Sequence, residues 1–311
     1  MTAPWPSLPF RDWEDTCRTL HLWTQIVGKT RLALAPMENH WWQVTLYLTA
    51  RGLTTAAMPA GSRTMTVDFD FIAHRLEVRL SDGTSRSLAL QPRSVADFHA
   101  QYLATLDDLA VRPRMWPVPV EMVEVIPFAE DRTHTEYDGD AANRWWRLAA
   151  RADQVLKRFR GRFQGKASPV HFFWGSFDLA ATRFSGRPAP THPGGAPNCP
   201  DYVMVEAYSH ECSSCGFWPG GGEVAEPAFY AYAYPEPPGY AERRVGVDGA
   251  RYSLDLREFI LPGDALREAA DPEAAVLEFL QSTYDAAAEL GHWDRAALER
   301  PRDRWEGPSS S

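Results

Sequence analysis

The stretch TMTVDFDFIAHRLEVRLSDGTSRSLAL, residues 64–90, decides the fold class. Two segments in it, Thr64–Phe71 and Arg75–Leu80, alternate apolar and polar residues with the period of two that marks a half-buried β-strand. The dipeptide Asp82-Gly83 is a strong hairpin-turn signal, and it leads into a third strand over Ser85–Leu90. The first half of the chain is therefore predicted to contain an antiparallel β-meander.

Helical patterns flank this meander. A first helix is predicted from Asp12 to Val27, with Gly28 as the residue that stops it. The segment His40–Thr49 alternates and predicts a strand with His40 at its inward-facing start. A helix that begins at the Ser94 cap closes the unit.

The second half repeats this order of elements. A helix is predicted over Asp140–Phe159, a strand over His171–Ala181, and a closing helix opened by Pro272. Placing His171 on His40 also aligns the strands that follow. Two interpretations stay open: a duplicated α-βββ(β)-α unit packed around a shared pocket, or the general likeness of any helix, strand and helix. The predicted class is α+β, with antiparallel β-meanders flanked by helices.

The predicted organisation has four parts. Residues 1–112 form the first α-β-α unit, and residues 113–139 form a proline-rich extended connector with a strand. Residues 140–300 form the second unit, which the Pro/Gly-rich loop 186–200 interrupts, and residues 301–311 form a polar tail.

Composition limits the possible partners. The chain has 311 residues, of which 44% are hydrophobic, and this is enough for a large core without a disulfide or metal. A formal charge of −9 opposes binding to a phosphate backbone, so no nucleic-acid partner is expected. No apolar run reaches the roughly 18 residues of a membrane span, and the start lacks a signal peptide. We expect a cytoplasmic protein; its oligomeric state is not indicated.

The aromatic content points to a small ligand. The chain has 12 Trp, 11 Tyr and 15 Phe, and such side chains line small-molecule pockets as well as cores. A small-molecule ligand is therefore the expected partner. The side chains proposed to contact it are Trp174, Arg183, Tyr208, Trp218 and His40.

The segment YSHECSSCGFWPGGG, Tyr208–Gly222, is the predicted functional segment. The strand predicted before it, Asp201–His210, carries Glu206 and His210 on one face, about 13 Å apart along the strand. Imidazole titrates near neutral pH, and an aromatic pocket raises carboxyl pKa values toward it. These properties make the following residues the catalytic candidates: His210, Glu211, His171 and Glu206.

Several of these polar residues also have structural interpretations. His40 and His171 fit satisfied core histidines as well as symmetric occupants of a shared cavity. Asp178 lies in an otherwise apolar strand, and Arg183 is the nearest candidate in sequence for an ion pair with it.

The cysteines permit a metal site. Cys212 and Cys215 form a CxxC pair, and together with His210 and Cys199 they would give zinc four ligands. The alternative is unliganded cysteines in a turn. A redox pair fits poorly, because it needs a helix N-terminus after the motif.

Cofactor motifs are otherwise absent from the sequence. It contains neither GxGxxG nor the Walker pattern, so no nucleotide cofactor is expected, and GxSxG is missing too. The cofactor hypothesis that remains is one divalent metal ion, zinc.

Three strings give the chain a resemblance. They are WPSLPFRDWEDTCRTLHLWTQIVGKTRLALAP (residues 5–36), HFFWGSFDLAATRFSGR (His171–Arg187) and EAYSHECSSCGFWPGGG (Glu206–Gly222). They resemble a bacterial family catalogued as a domain of unknown function, number 5996. The resemblance implies one family over nearly the whole chain, and it implies no reaction, cofactor or catalytic residue.

Three functional hypotheses follow. The first is an enzyme that acts on a small organic molecule by His/Glu acid–base or single-metal chemistry. The second is a non-catalytic protein that binds a small molecule or a partner. The third gives zinc a purely structural role in the His/Cys turn.

Overall fold

Two antiparallel sheets organise the computed structural model, which describes residues 5–301. The first sheet has six strands: Tyr47–Leu48 (β1), Gly52–Thr54 (β2), Met58–Ala60 (β3), Arg63–Asp70 (β4), Arg75–Leu80 (β5) and Ser85–Ala89 (β6). The second also has six: His171–Phe173 (β7), Asp178–Pro188 (β8), His210–Trp218 (β9), Ala228–Tyr234 (β10), Arg251–Ser253 (β11) and Glu258–Pro262 (β12). The predicted class, α+β with antiparallel meanders, is confirmed.

Helices precede, interrupt and follow the sheets. They are Glu14–Leu34 (α1), Val95–Asp108 (α2), Gly139–Gly161 (α3), Asp201–Ala207 (α4), Gly263–Glu268 (α5), Pro272–Leu290 (α6) and Arg295–Leu298 (α7). No helix in this part of the chain has the length and apolarity needed to cross a membrane.

The strand order follows the chain closely. In the first sheet the neighbours run β1-β2-β4-β5-β6, with β3 paired to β4, and Val67 lies opposite Val78 at the centre. The second sheet runs β11-β12-β10-β9-β8-β7. Most neighbours in each sheet are consecutive in the chain, but residues 189–209, which include α4, join β8 to β9, and the order of β11 and β12 is exchanged at the edge of the second sheet.

The two sheets meet edge to edge. The Leu46 N–H donates to the Phe172 carbonyl (2.9 Å), and the Phe172 N–H donates to the Leu46 carbonyl (2.8 Å). The indole N–H of Trp174 donates to the Val44 carbonyl nearby (2.7 Å). One continuous hydrophobic core runs through both halves, so the halves are packed as one body around this junction.

Several predicted elements are confirmed. The three strands of residues 64–90 and their Asp82–Gly83 turn are present. Ser94 caps α2 by accepting a hydrogen bond from the Asp97 N–H. The predicted helix over Asp140–Phe159 is α3, and Pro272 opens α6 in its first turn. Amphipathic periodicity and capping were sufficient signals for these elements.

The first helix is longer than predicted. It runs from Glu14 to Leu34 and passes through Gly28, so the prediction that Gly28 stops it is wrong. The Trp174 indole covers this glycine, and a Cβ added there would lie 2.3 Å from the ring. Gly28 therefore serves close packing between α1 and the start of the second sheet.

The strand predicted over His40–Thr49 is wrong in most of its length. Residues Asn39–Val44 form a 3-10 segment in which His40 (φ 60°) and Trp41 (φ 62°) take left-handed backbone angles. The extended part begins at Thr45 and includes the Leu46 bridge to Phe172 and the two residues of β1. His40 is buried, as expected, but it lies on a turn and is not equivalent to His171, which starts β7.

Two further strand predictions in the second half are wrong. The segment His171–Ala181 is a hairpin, because a turn at Phe177 (φ 59°) separates β7 from β8. The strand predicted over Asp201–His210 is helix α4, and the CxxC segment predicted as a turn is strand β9. The alternation of YVMVEAYSH in residues 202–210 is compatible with a short helix that is covered on one side.

The predicted division into units remains a prediction. The first half shows a helix, six strands and a helix in order, and the second half shows the same series with α4 between β8 and β9, so each has six strands rather than three or four. Residues 113–138 form an extended connector without a strand. The predicted tail, 301–311, lies outside the described residues except for Pro301.

Gly28→Ala is expected to destabilise the fold by about 1–3 kcal/mol, because the new methyl group overlaps an indole that a hydrogen bond holds in place. Urea unfolding measures the change. Gly161→Ala is the matched control, since nothing lies within 4 Å of its added Cβ and alanine favours the helix. Equal unfolding midpoints for Gly28→Ala and the wild-type chain would contradict this packing.

Candidate functional site

The two faces of the second sheet differ in character. Residues that alternate along β8, β9 and β10 pack against α3 and α6 on one side; examples are Leu179, Phe217 and Phe229. The opposite side, which we call the polar face, is formed by His171, Asp178, Thr182, Phe184, Cys212, Ser214, Tyr230, Tyr232, Tyr234 and Glu258. Strand alternation places hydroxyl, carboxyl and aromatic groups together on this face.

Irregular segments cover the polar face. The Glu121 N–H of the connector donates to the Pro197 carbonyl (2.7 Å), and the Asn198 amide donates to the Met122 carbonyl (2.9 Å). These bonds tie the connector to the Pro/Gly-rich loop. At the end of α4, the Tyr208 hydroxyl lies 2.7 Å from the Tyr232 hydroxyl. The connector, the loop and α4 thus close over strands β8–β10.

Asp178 is held in place on the polar face by two hydroxyl groups. The Ser176 hydroxyl donates to Oδ1 (2.5 Å), and the Tyr230 hydroxyl donates to Oδ2. Burial is the main reason that the pKa of Asp178 is raised, and these two hydrogen bonds act against it. The Asp178–Arg183 ion pair expected from the sequence is absent, because the two side chains point to opposite faces.

Two glutamates from other segments of the chain interact with the charge of Asp178. Burial among protein atoms, followed by the charge of Asp178, raises the pKa of Glu121 to about 7 and that of Glu258 to about 8. Glu121 is nevertheless exposed to solvent, and Glu258 is half-buried. We call Glu121, Asp178 and Glu258 the carboxyl cluster.

The backbone beside Glu121 is specialised. Glu121 has a left-handed φ of 57°, which is unusual for a residue with a side chain. Its carboxyl group packs against Gly175, where an added Cβ would lie 2.1 Å from Oε1. The glycine and the bound connector therefore fix the position of the carboxyl group.

A second group, which we call the basic cluster, lies at the other end of β8. His40 donates from Nδ1 to the Ala207 carbonyl (3.0 Å), and Lys166 Nζ donates to its Nε2 (2.7 Å). This places a neutral imidazole against the amine. The His210 ring lies 5.8 Å from the His40 ring, and Lys166 lies over the ring of Phe184.

His171 is a buried, neutral residue. It is 1% exposed, and neither ring nitrogen has a hydrogen-bond partner among residues 5–301. Burial, with the charges of Arg31 and Arg160, lowers its pKa to about 3. Trp42 contacts the rings of both His171 and His40, so it lies between His171 and the basic cluster.

The predicted catalytic residues are distributed rather than assembled. Glu211 Oε2 accepts hydrogen bonds from Ser185 (2.8 Å) and from Arg187 Nη2 (2.6 Å), which is a structural ion pair. Glu206 lies on α4 rather than on a strand. His210 joins the basic cluster beside His40, whereas Glu211 pairs with Arg187 and His171 is buried.

The residues predicted to contact a substrate also lie in different parts of the structure. Tyr208 belongs to the cover of the polar face, and His40 belongs to the basic cluster. Arg183 lies on the helix side, where its guanidinium stacks on Phe159 at 3.5 Å. Trp174 covers Gly28, as described above. Trp218 ends β9 and packs on a small apolar cluster with Tyr230.

The predicted zinc ligands do not converge. Cys212 lies on the polar face, while Cys215 points to the helix side and places its Sγ 3.5 Å from the Ala181 carbonyl. Cys199 is in the loop. Within residues 5–301 no group of three His, Cys, Asp or Glu side chains could hold a metal ion. The four-ligand set Cys199, His210, Cys212 and Cys215 is therefore not formed.

A ligand-sized cavity lies elsewhere. It has a volume of about 540 Å³ and is lined by residues 241 and 243–252 together with Phe259. Its wall is almost entirely one continuous loop beside the edge strand β11. The carboxyl cluster instead gathers groups from three distant segments, which is the usual construction of an active site.

Three members of the site were not among the predicted site residues. Tyr230 was recoverable, because AFYAYAY in β10 places every tyrosine on one face. Glu258 lies in the short apolar strand EFILP, where a charged residue at the first position looks like an ordinary strand end. Glu121 lies in an irregular connector and has no periodic signal.

Comparison with known proteins gives one match. A model of the family described as "Family of unknown function (DUF5996)" matches residues 5–300. No curated protein matches the chain, and no solved structure does.

The four cysteines are expected to differ in their reaction with a thiol reagent at pH 8. Cys199 is partly exposed and should react first, although burial and Glu121 raise its pKa to about 11. Cys17, Cys212 and Cys215 are buried and should react only on unfolding. Absorbance of the released thiolate measures this, with Cys199→Ser as control. Fast reaction of Cys212 or Cys215 would contradict their placement.

Proposed function

The chain belongs to the family of unknown function DUF5996, and from its geometry we propose that it is an enzyme acting on a small organic molecule by acid–base chemistry at the carboxyl cluster. One observation carries the proposal. Glu121 of the connector and Glu258 of β12 each interact with the charge of Asp178 on β8, whose Oδ2 accepts a hydrogen bond from the Tyr230 hydroxyl.

The proposed chemistry depends on the raised pKa values of Glu121 and Glu258. Burial and the charge of Asp178 both oppose ionisation of Glu121 and Glu258, so near neutral pH Glu258, with its pKa of about 8, keeps its proton. One glutamate can then donate a proton while the other accepts one, which is the division of roles in many acid–base enzymes. Glu121 and Glu258 are the catalytic residues in this proposal, because solvent reaches both of them.

Asp178 has a positioning role in this proposal. It is 7% exposed and its oxygens are already bound by Ser176 and Tyr230, so it is not placed to touch a substrate. Its negative charge is one cause of the raised pKa values of both glutamates. It thereby keeps a proton on the cluster at the pH where the enzyme works.

The basic cluster supports a second candidate function, which is binding of an anionic group without catalysis. Within the described part of the chain, Lys166 has no carboxylate partner and donates to a neutral His40. Asp178 and Phe184, which mark the two clusters, are six residues apart on β8, or about 20 Å. A small molecule therefore contacts one cluster at a time, and we assign the chemistry to the carboxyl cluster.

A cytoplasmic location is part of the proposal. It is supported by the four cysteines, which are all free thiols, as expected of a reducing compartment.

Untargeted metabolite profiling tests the proposed reaction. A metabolite extract is incubated with the wild-type chain, with Glu121→Gln, and with Glu124→Gln as an exposed control from the same connector. The wild-type chain and Glu124→Gln are expected to consume at least one metabolite, while Glu121→Gln does so at least about 100-fold more slowly. Unchanged metabolite levels with the wild-type chain, or full activity of Glu121→Gln, would overturn the proposal.

Glu258→Gln is expected to stabilise the fold at pH 8.5 and to change little at pH 5. The folded pKa of Glu258 is raised, so its contribution to stability is present below the unfolded pKa of about 4.5 and is lost as pH rises through about 8. Glutamine removes that loss, which we expect to exceed about 1 kcal/mol. Chemical unfolding at both pH values measures it, with Glu124→Gln as control; a pH-independent difference would contradict the raised pKa.

A further inference from the structure

Lysine is rare in this chain, which has three lysines and 29 arginines. Lys157 is a surface residue, and its amine pairs with Asp153 at 2.7 Å, one helical turn away. Lys166 belongs to the basic cluster. The third, Lys29, lies on the buried helix α1. Arginine is the cation in nearly every ion pair of the described residues. A buried lysine therefore needs an explanation other than charge pairing.

The surroundings of Lys29 are aromatic and apolar. The residue is 3% exposed, and its Nζ lies 5.4 Å from the centre of the Trp116 ring and 5.6 Å from that of Trp174. No hydrogen bond or salt bridge joins this amine to any residue between 5 and 301. Cation–π attraction compensates only part of the cost of burying an ammonium group.

This environment favours the neutral amine. Burial lowers the pKa of Lys29 to about 8, so an appreciable fraction of the amine carries a free lone pair near neutral pH. A methionine in this position would fill similar space without a polar group. Lys29 therefore costs the fold stability, and residues of that kind concentrate at functional sites.

Lys29 is also a neighbour of the carboxyl cluster. The Trp174 ring that contacts its amine is followed by Gly175, against which the Glu121 carboxyl packs. Both groups affect the pKa of the Cys199 thiol: the charge of Glu121 raises it and the charge of Lys29 lowers it. The amine and the carboxyl group thus flank a common point.

A small cavity adjoins the amine. Its volume is about 10 Å³, which is room for about one water molecule, and Lys29, Met115, Trp116 and Phe128 are among its walls. Trp116 is 54% exposed and forms the outer wall. A small molecule can therefore approach the amine by displacing one surface indole.

We propose that Lys29 forms an imine with the carbonyl carbon of a small aldehyde or ketone, which makes a carbonyl compound the substrate class of the proposed enzyme. The neutral Nζ attacks the carbonyl carbon, and the C–N bond forms. The carbonyl oxygen leaves as water with the two amine hydrogens, and a C=N bond remains. In this proposal Glu121, which influences the same Cys199 thiol as Lys29, carries protons to and from that oxygen. The inference rests on the proposed function, because it uses the same carboxyl group.

Reductive trapping tests the inference on the full chain. The protein is incubated at pH 7.5 with formaldehyde, pyruvate or glyceraldehyde in the presence of cyanoborohydride, which reduces an imine to a stable secondary amine. Peptide mass spectrometry then gives the labelling rate at each lysine. With at least one probe, Lys29 is expected to be labelled at least about tenfold faster than Lys157, although Lys157 is exposed. Labelling of Lys29 no faster than Lys157 with all three probes overturns the inference.

Two variants separate a reactive amine from a structural one. Lys29→Met is expected to lose the fast label and to unfold at a higher temperature than the wild-type chain, because a buried amine has been removed. Lys157→Met should keep the fast label. Lys29→Arg keeps the charge and should also lose the label. A lower unfolding temperature for Lys29→Met would show that the amine is structural and would contradict the inference.

The imine proposal and the proposed acid–base function can fail independently of each other. Metabolite consumption that depends on Glu121, without trapping at Lys29, would leave acid–base catalysis standing and overturn the imine. Trapping at Lys29, without any consumption that depends on Glu121, would support the amine and overturn the role of the carboxyl cluster.

Discussion

Polar groups that lose contact with water must find partners in the protein, and this constraint shapes the second half of the chain. The polar face of the second sheet carries Asp178, Thr182, Ser214 and Tyr230 where an ordinary sheet would carry apolar residues or face solvent. Hydroxyl groups satisfy one another across the strands, as between Thr182 and Ser214 at 2.9 Å. The connector, the loop and α4 cover the polar groups that are not paired across the strands. We attribute the irregular paths of these segments to the polarity of the strands beneath them.

The junction between the sheets brings the first half of the chain to this face. The bridge between Leu46 and Phe172 joins the two edge strands, and Trp174, just beyond β7, reaches across it to cover Gly28 of α1. That contact also places Lys29 beside the indole and within reach of the connector. The Trp174 indole therefore lies between α1 and the second sheet, with Lys29 against its ring and Glu121 of the connector against the glycine that follows it.

The sequence predicts those elements in which the periodicity of apolar residues matches the face that is buried in the structure. The meander of residues 64–90 and the helices α2, α3 and α6 have clean periodicity and recognisable caps, and they were predicted correctly. Prediction failed at α4 and at His40, where a short helix and a left-handed turn carry alternating residues that look like strands. The candidate site was largely hidden, because the position of Glu121 depends on its own hydrogen bond to the Pro197 carbonyl, on the bond from Asn198 to the next residue, Met122, and on Gly175, rather than on any pattern in the sequence around it.

Proton sharing within the carboxyl cluster is the central claim, and a carbon-13 NMR titration of the glutamate and aspartate carboxyl groups tests it most directly. Two glutamate resonances are expected to titrate with apparent pKa values of about 7 and about 8. Both should move toward the ordinary glutamate value of about 4.3 in Asp178→Asn, because the charge that helps to raise them is gone. Titration of every glutamate in the ordinary range in the wild-type chain would contradict the claim.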